Sequence, residues 1–243
     1  MTKDTYSLLE SHMLSCMEDS AHDKEHIYRV LYAALDIAQT EMDVDYDVLI
    51  AACLLHDIAR KDQLANPSLC HAKLGSEMAY SFFMEHGFPA CFAEKVCHCI
   101  LTHRYRNTNP PQSVEAKILF DADKVDAAGA FGLARTLIYE GTVSNPIYSL
   151  REDGSVSTGE GDVNPSFFHE YKHKLEKVYS HFYTKRGAEI ARQRQKTAID
   201  FTMGYTTRPT PCIQRASLNS SVCCNRTQSG GESIFPAAFF VCI

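Results

Sequence analysis

An all-α fold, helices packed around an apolar centre, is the class this sequence predicts. Apolar residues recur at three- and four-residue steps in one segment after another, and no run carries the two-residue alternation of a half-buried strand. Proline and glycine punctuation, at Asn66-Pro67, Gly87-Phe88-Pro89 and Pro110-Pro111, separates the periodic segments. With 243 residues, 45% of them hydrophobic and 22% charged, the chain has material for one substantial domain.

The spacing predicts helices near 5–18, 23–39, 46–61, 71–86, 90–105, 114–140, 165–182 and 184–203. In the second, Ile27, Val30, Leu31, Ala34, Ile37 and Ala38 form one face, and His26 stands on it one turn before Val30. In the third, the face through Leu49, Ala52, Cys53 and Ala59 also carries His56, with Asp57 on its shoulder. His71 opens the face Gly75, Met78, Phe82 of the fourth, and His103 closes the face Val96, Cys99, Ile100 of the fifth. In the sixth, Leu119, Asp123, Asp126, Ala127 and Ala130 follow at helical steps, so Asp123 takes the place of a core residue. Between 141 and 165 runs the one long irregular segment of the domain, with Gly154, Gly159 and Gly161 and several acids; a binding loop and a plain surface excursion fit it equally.

Taken singly, each of these polar residues has an ordinary explanation, a core histidine bonded to a backbone carbonyl or an aspartate capping a helix. Taken together, His26, His56, Asp57 and Asp123 place two imidazoles and two carboxylates on apolar faces of three helices. An ionised carboxylate left unpaired there would cost on the order of several kcal/mol or have to hold a proton. A shared divalent cation removes that penalty, and a mixed nitrogen and oxygen donor set suits Mn, Mg, Co, Ni, Fe or Zn without choosing among them.

The formal net charge of −6 gives no global basic field, so duplex nucleic acid is not an expected partner and any polyanionic substrate must meet a local basic cluster. No apolar run approaches the roughly 18 residues of a membrane span. The N-terminus lacks the charged-then-apolar layout of a secretory signal, and a cytoplasmic address is the expectation. Cys16, Cys53, Cys70, Cys91, Cys97 and Cys99 are scattered with no Cys-x-x-Cys pair and read as small core hydrophobes. The other four of the ten cysteines lie beyond residue 206, where Ser, Thr, Pro and Gly replace the helical period. We therefore divide the chain into a domain over 1–205 and an atypical tail over 206–243, expected to be disordered.

His26, then His56-Asp57, then Asp123 within Asp121-Ala-Asp-Lys-Val-Asp126 resemble the ordered pattern of the HD superfamily of metal-dependent phosphohydrolases. The surroundings agree: His22-Asp23-Lys-Glu-His26-Ile-Tyr-Arg29-Val30, Ala52-Cys-Leu-Leu-His56-Asp57-Ile, and the segment through Gly129 to Arg135. The closing Thr184-x-x-Gly187-x-x-Ile190-Ala191-x-x-Arg194 is similar to that of a bacterial subgroup, some of whose members are nucleoside triphosphate pyrophosphohydrolases. The resemblance covers roughly residues 10–204 and implies an HD-domain helical bundle with the metal site between core helices.

It also implies roles. His26, His56, Asp57 and Asp123 would hold the metal, with Asp57 placed to orient or deprotonate a water. His71 and His103 would complete a second metal site bridged by the dipeptide aspartate, or contact phosphate, or act as an acid; the alternative is a pair of core histidines. The acid that several family variants carry in the turn after the dipeptide is absent, which leaves Asp62 or His71 as general acid. Lys73, Arg104 and Arg106 are candidate clamps for a substrate phosphate, followed by Arg29, Arg60, Lys61 and Lys124. Asp23 and Asp126 are candidates to support the ligands from behind.

The implied activity is hydrolysis of a phosphoester or phosphoanhydride bond in a small nucleotide, with conversion of a triphosphate to monophosphate and pyrophosphate as one form. Two other readings stand beside it: an HD-type di-iron oxygenase, and a catalytically silent domain that binds a nucleotide. A ferritin-like bundle needs Glu-x-x-His twice, and Glu170-Tyr-Lys-His173 supplies it once. Oligomeric state has no signature in the sequence.

Overall fold

The computed structural model describes residues 1–17, 24–104 and 109–206. Among them the chain forms ten α-helices: α1 (Lys3–Met17), α2 (Lys24–Ala38), α3 (Tyr46–Leu55), α4 (Arg60–Ala65), α5 (His71–Glu85), α6 (Ala90–Thr102), α7 (Val114–Asp126), α8 (Gly129–Thr142), α9 (Phe167–His173) and α10 (Lys185–Thr206). Their only strand-like pairing is an isolated antiparallel bridge between Leu150 and Val156, in the segment after α8. The tail reading falls, from residue 207 onward, outside the described residues, as do Asp23 and Arg106. No helix among the described residues is long and apolar enough to cross a membrane.

The most apolar helix, α3, occupies the centre. Asp45 caps it by accepting from Val48 N at 3.3 Å, and seven of its ten residues are buried. It packs against α1, α2, α6 and α7, with α5 laid on α6 and α2 on α7. The large buried side chains of this core include Leu9, Met13, Ile27, Ile37, Leu49, Leu54, Leu55, Phe83 and Ile100. A smaller cluster of Leu133, Phe167, Phe168, Tyr171 and Ala198 joins α8, α9 and α10.

Three of the expected helices are interrupted, and the interruptions position the site. The segment expected as one helix over 46–61 stops at Leu55. His56 donates from Nδ1 to the Cys53 carbonyl at 2.8 Å, where a continuing helix would need that oxygen for Asp57 N. Three-residue turns follow instead, Ile58 N to Leu55 O and Arg60 N to Asp57 O, before α4 begins. His103 does the same at the end of α6, donating from Nδ1 to the Ile100 carbonyl at 2.5 Å.

The run expected over 114–140 breaks between Asp126 and Gly129. Gly129 has φ +69°, and a Cβ there would lie 2.8 Å from Arg194 Cβ, so the break lets α10 approach closely. The segment expected over 165–182 is helical only to His173, then tightens into a 3₁₀ turn over Leu175–Ser180.

The closing motif is a docking device. Asp121, buried in α7, accepts from Tyr183 N, Thr184 N and Thr184 Oγ1, the last two at 2.7 and 2.6 Å. Gly187 follows because a Cβ would meet Thr184 Oγ1 at 2.8 Å and Asp121 Oδ2 at 2.9 Å. Arg194 then donates to the Val125 carbonyl at 2.6 Å, at the far end of α7. These three contacts fix α10 along the helix that carries Asp123.

Candidate metal centre

Five helix ends and turns bring six donor side chains together. His26 lies in the first turn of α2, His56 and Asp57 in the turn after α3, His71 at the start of α5, His103 at the end of α6 and Asp123 in the last turn of α7. Two groups of ligand atoms form, each within 4.8 Å: His26, His56 and Asp123, and Asp57, His71 and His103. His26 Nε2 lies 3.4 Å from His56 Nε2 and 3.3 Å from Asp123 Oδ1. His71 Nε2 lies 3.3 Å from both His103 Nε2 and Asp57 Oδ1.

Asp57 joins the groups. Its Oδ1 faces His71 and, at 3.6 Å, His103; its Oδ2 stands 3.7 Å from His26 Nε2 and 3.8 Å from His56 Nε2. Oδ1 is buried without a hydrogen-bond partner. A buried carboxylate oxygen in that condition is a strong sign that a further electrophile belongs beside it.

Each imidazole is anchored by its other nitrogen. The Cys53 and Ile100 carbonyls can only accept, so His56 and His103 carry their protons on Nδ1. His71 Nδ1 donates to Gln63 Oε1 at 2.6 Å. His26 Nδ1 lies 2.7 Å from Asp126 Oδ2. The Nε2 lone pairs of His56, His71 and His103 therefore turn toward the site, and those of His71 and His103 face each other and Asp57 Oδ1, acceptor against acceptor. A divalent cation in each group would satisfy them, and this backing of metal-binding imidazoles by fixed acceptors is the usual arrangement. The donors fit a divalent metal.

The electrostatics agree. Burial pushes His56 down to about 4 and His71 down to about 2, so both are neutral and able to donate a lone pair. Burial works against an ionised Asp57, but His56, in the acid range where it is protonated, and Arg60 outweigh it and hold the carboxyl well below its usual range. Burial also opposes charge on Asp123, which the contact with His26 keeps ionised. His26 differs: burial lowers it, yet the hydrogen bonds to Asp123 and Asp126 raise it to about 9. Positive charge at that position is favoured, and either a proton or a metal ion could supply it.

Behind His26, Asp126 is a hub. Its Oδ1 accepts from Arg29 Nε and its Oδ2 from Arg135 Nη1, each at 2.7 Å. At the opposite end Arg60 donates from Nε to Asp57 Oδ2 at 3.2 Å.

Of the residues singled out in sequence, His26, His56, Asp57, His71 and His103 are each at most 2% exposed. Asp123 lies at the mouth instead of the packed centre, its side chain 30% exposed. Arg104 donates to Cys70 Sγ at 3.6 Å, and its charge helps depress His71. Lys73 is exposed, two positions and so about 200° around α5 from His71; adjacency in sequence is not adjacency on a helix. Lys124 turns inward over the Phe120 ring, 3.4 Å from its centroid. Asp62 is exposed in the first turn of α4, and the neighbour that reaches His71 is Gln63. Sequence reading overlooked Gln63, a polar residue with no periodic signal, and gave Arg135 no role although it lies inside the quoted motif.

Residues 24–128 match the HD domain family. The uncharacterized protein YpgQ of Bacillus subtilis is 27% identical over 188 residues, 76% of this chain and 82% of its own length. The crystal structure of YpgQ in complex with ADP superimposes with a TM-score of 0.62 at 24% identity, covering 83% of this chain and 93% of that one. An HD-superfamily hydrolase from Bacillus thuringiensis gives a TM-score of 0.63 at 24% identity, covering 84% and 95%. Residues 24–128 thus match the HD domain family, and the chain shares its all-helical fold with these solved structures.

Proposed function

We propose that this protein is a metal-dependent phosphohydrolase acting on a small nucleotide or a similar phosphorylated metabolite. The observation that carries the reading is the convergence of four imidazole Nε2 atoms on the two oxygens of Asp57 and on Asp123. In this reading His26, His56 and Asp123 would hold one ion, His71 and His103 would hold a second, and Asp57 could contribute to either. Bound there, divalent ions supply a water of lowered pKa, near 7 in favourable cases, and neutralise charge on a phosphoryl oxygen.

The chain's own residues supply the rest. Asp57 stays ionised, so it is a ligand and proton acceptor and not the general acid. His71 presents a lone pair at Nε2, which assigns it to the ligand set. Arg29, Arg60 and Arg135, with side chains 25%, 29% and 32% exposed, form a cationic rim that a phosphate can share with Asp126 and Asp57, and Arg104 stands on the His71 side. The complex of YpgQ with ADP supports a nucleotide as the ligand class.

The test is a nucleotide panel assayed separately for phosphate and pyrophosphate, with added Mn, Mg, Co and Ni and with Asp57→Ala as control. Metal-dependent release that the substitution abolishes is the expected result; release that persists unchanged in the variant removes the mechanism. The same set of four histidines and two aspartates also accommodates iron. Iron retained through purification together with oxygen uptake would replace hydrolysis by the oxygenase reading, and tight nucleotide binding without turnover would replace it by the silent one.

A further inference from the structure

Three of the four site histidines lean on groups that the fold fixes. His56 and His103 bond to carbonyls of their own helices, and His26 bonds to Asp126, itself gripped by two arginines. His71 is the exception. Its Nδ1 is held by a side-chain amide, Gln63 Oε1, from the six-residue helix α4 at the surface.

The amide has one orientation. Gln63 Nε2 donates to the Leu69 carbonyl at 2.9 Å, which leaves only the oxygen to face His71. Arg60 Nη1 also donates to that oxygen, at 3.2 Å, while lying 3.1 Å from His71 Nδ1. Two donors thus crowd one acceptor. Without the Gln63 oxygen, the Arg60 guanidinium is the nearest partner for Nδ1, and it can only donate. The imidazole would then keep its lone pair on Nδ1 and turn Nε2–H toward Asp57 Oδ1, 3.3 Å away. A protonated Nε2 cannot ligate.

Building on the two-ion reading above, we propose that Gln63 is a positioning residue that makes the second site, Asp57, His71 and His103, competent for metal by holding His71 in the Nδ1–H tautomer. The first site, His26, His56 and Asp123, has no such dependence. Removing the amide therefore separates the two affinities.

The experiment titrates metal-free protein with Mn²⁺ alone, following free ion by electron paramagnetic resonance and the bound pair by its exchange-coupled signal. Wild type is expected to bind two ions with a coupled signal. Gln63→Ala should keep the first and weaken the second by about 10- to 100-fold, the range found when a ligand's supporting partner is lost. Gln63→Glu, which retains an acceptor at the same reach, should restore both the second ion and the coupling. Melting temperatures of the three metal-free proteins check that α4 stays folded. Two ions of unchanged affinity in Gln63→Ala overturn the inference while leaving the two-ion reading intact, as does equal weakening of both ions, or a Gln63→Glu variant no better than Gln63→Ala. A wild type that takes up one ion or none overturns the two-ion reading, and the inference with it.

Discussion

Asp126 Oδ2 lies 2.7 Å from His26 Nδ1, and the same carboxylate collects Arg29 and Arg135. This pairing orients the imidazole and sets which nitrogen faces the donor cluster. Asp126→Asn keeps the shape but not the charge, and its amide can turn a donor toward His26. The expected outcome is a loss of about 10- to 100-fold in affinity for the first ion, with the fold retained by circular dichroism. Equal affinity in calorimetric titrations of the variant and wild type would show that Asp126 only packs.

Asp57 has a different signature because each of its oxygens faces a different donor group. Asp57→Asn should weaken both ions together and abolish any hydrolysis, whereas His103→Ala should spare the group of His26, His56 and Asp123. Metal content after dialysis against limiting manganese separates the two patterns. A single ion retained at full affinity in Asp57→Asn would mean that the carboxylate does not join the groups.

Much of this centre was legible in the sequence because helical phase is rigid. A histidine four residues before Val30, or three after Cys53, has little choice of direction once its apolar neighbours are buried. What phase cannot reveal is where a helix stops. The breaks after Leu55 and Asp126 arise from His56 competing for a backbone carbonyl and from α10 closing on Gly129, and both are tertiary events. The Asp121 and Thr184 pair and the Gln63 and His71 pair join positions that no local pattern relates. The arginine rim was only half visible: Arg29 and Arg60 lie near motif residues in sequence, whereas Arg135 reaches Asp126 across a chain reversal.

The opposed titrations of His26 and His56 give the metal-free protein a two-sided pH profile. His26 is raised to about 9 in the fold, above its ordinary 6.5, so its stabilisation is complete below pH 6.5 and is lost as pH rises through 9. A shift of that size is on the order of 3 kcal/mol. His56 is lowered to about 4, so its contribution is complete above pH 6.5 and is lost as pH falls from there toward 4. The melting temperature of chelator-treated protein should therefore fall on both sides of pH 6.5, and the alkaline limb should flatten in His26→Gln. A saturating divalent metal, taking the proton's place at His26, should flatten that limb in the wild type as well. A chelated protein equally stable from pH 6.5 to 9 would contradict the assignment of a charged His26.

The contact between α10 and α7 makes a prediction about stability alone. Thr184 Oγ1 donates to Asp121 Oδ2 at 2.6 Å and accepts from Gly187 N at 3.1 Å, so one hydroxyl joins the Tyr183 and Thr184 amides on a buried carboxylate and also caps the helix. Burial raises the Asp121 carboxyl despite those donors, a sign that this acid has no surplus of partners. Thr184→Val keeps the volume and removes the hydroxyl. It should cost about 1.5–3 kcal/mol, the range for a hydrogen bond to a charged group. Gly187→Ala should be destabilising through a different cause, since its methyl must enter space held by Thr184 Oγ1 and Asp121. Both losses belong to denaturant midpoints. Asp121 is two residues from Asp123 but bonds to Tyr183 and Thr184, just ahead of α10, and not to the histidines, so manganese stoichiometry at saturation should be unchanged in both variants. A loss of bound metal in Thr184→Val would instead tie the seating of α10 to the placement of Asp123.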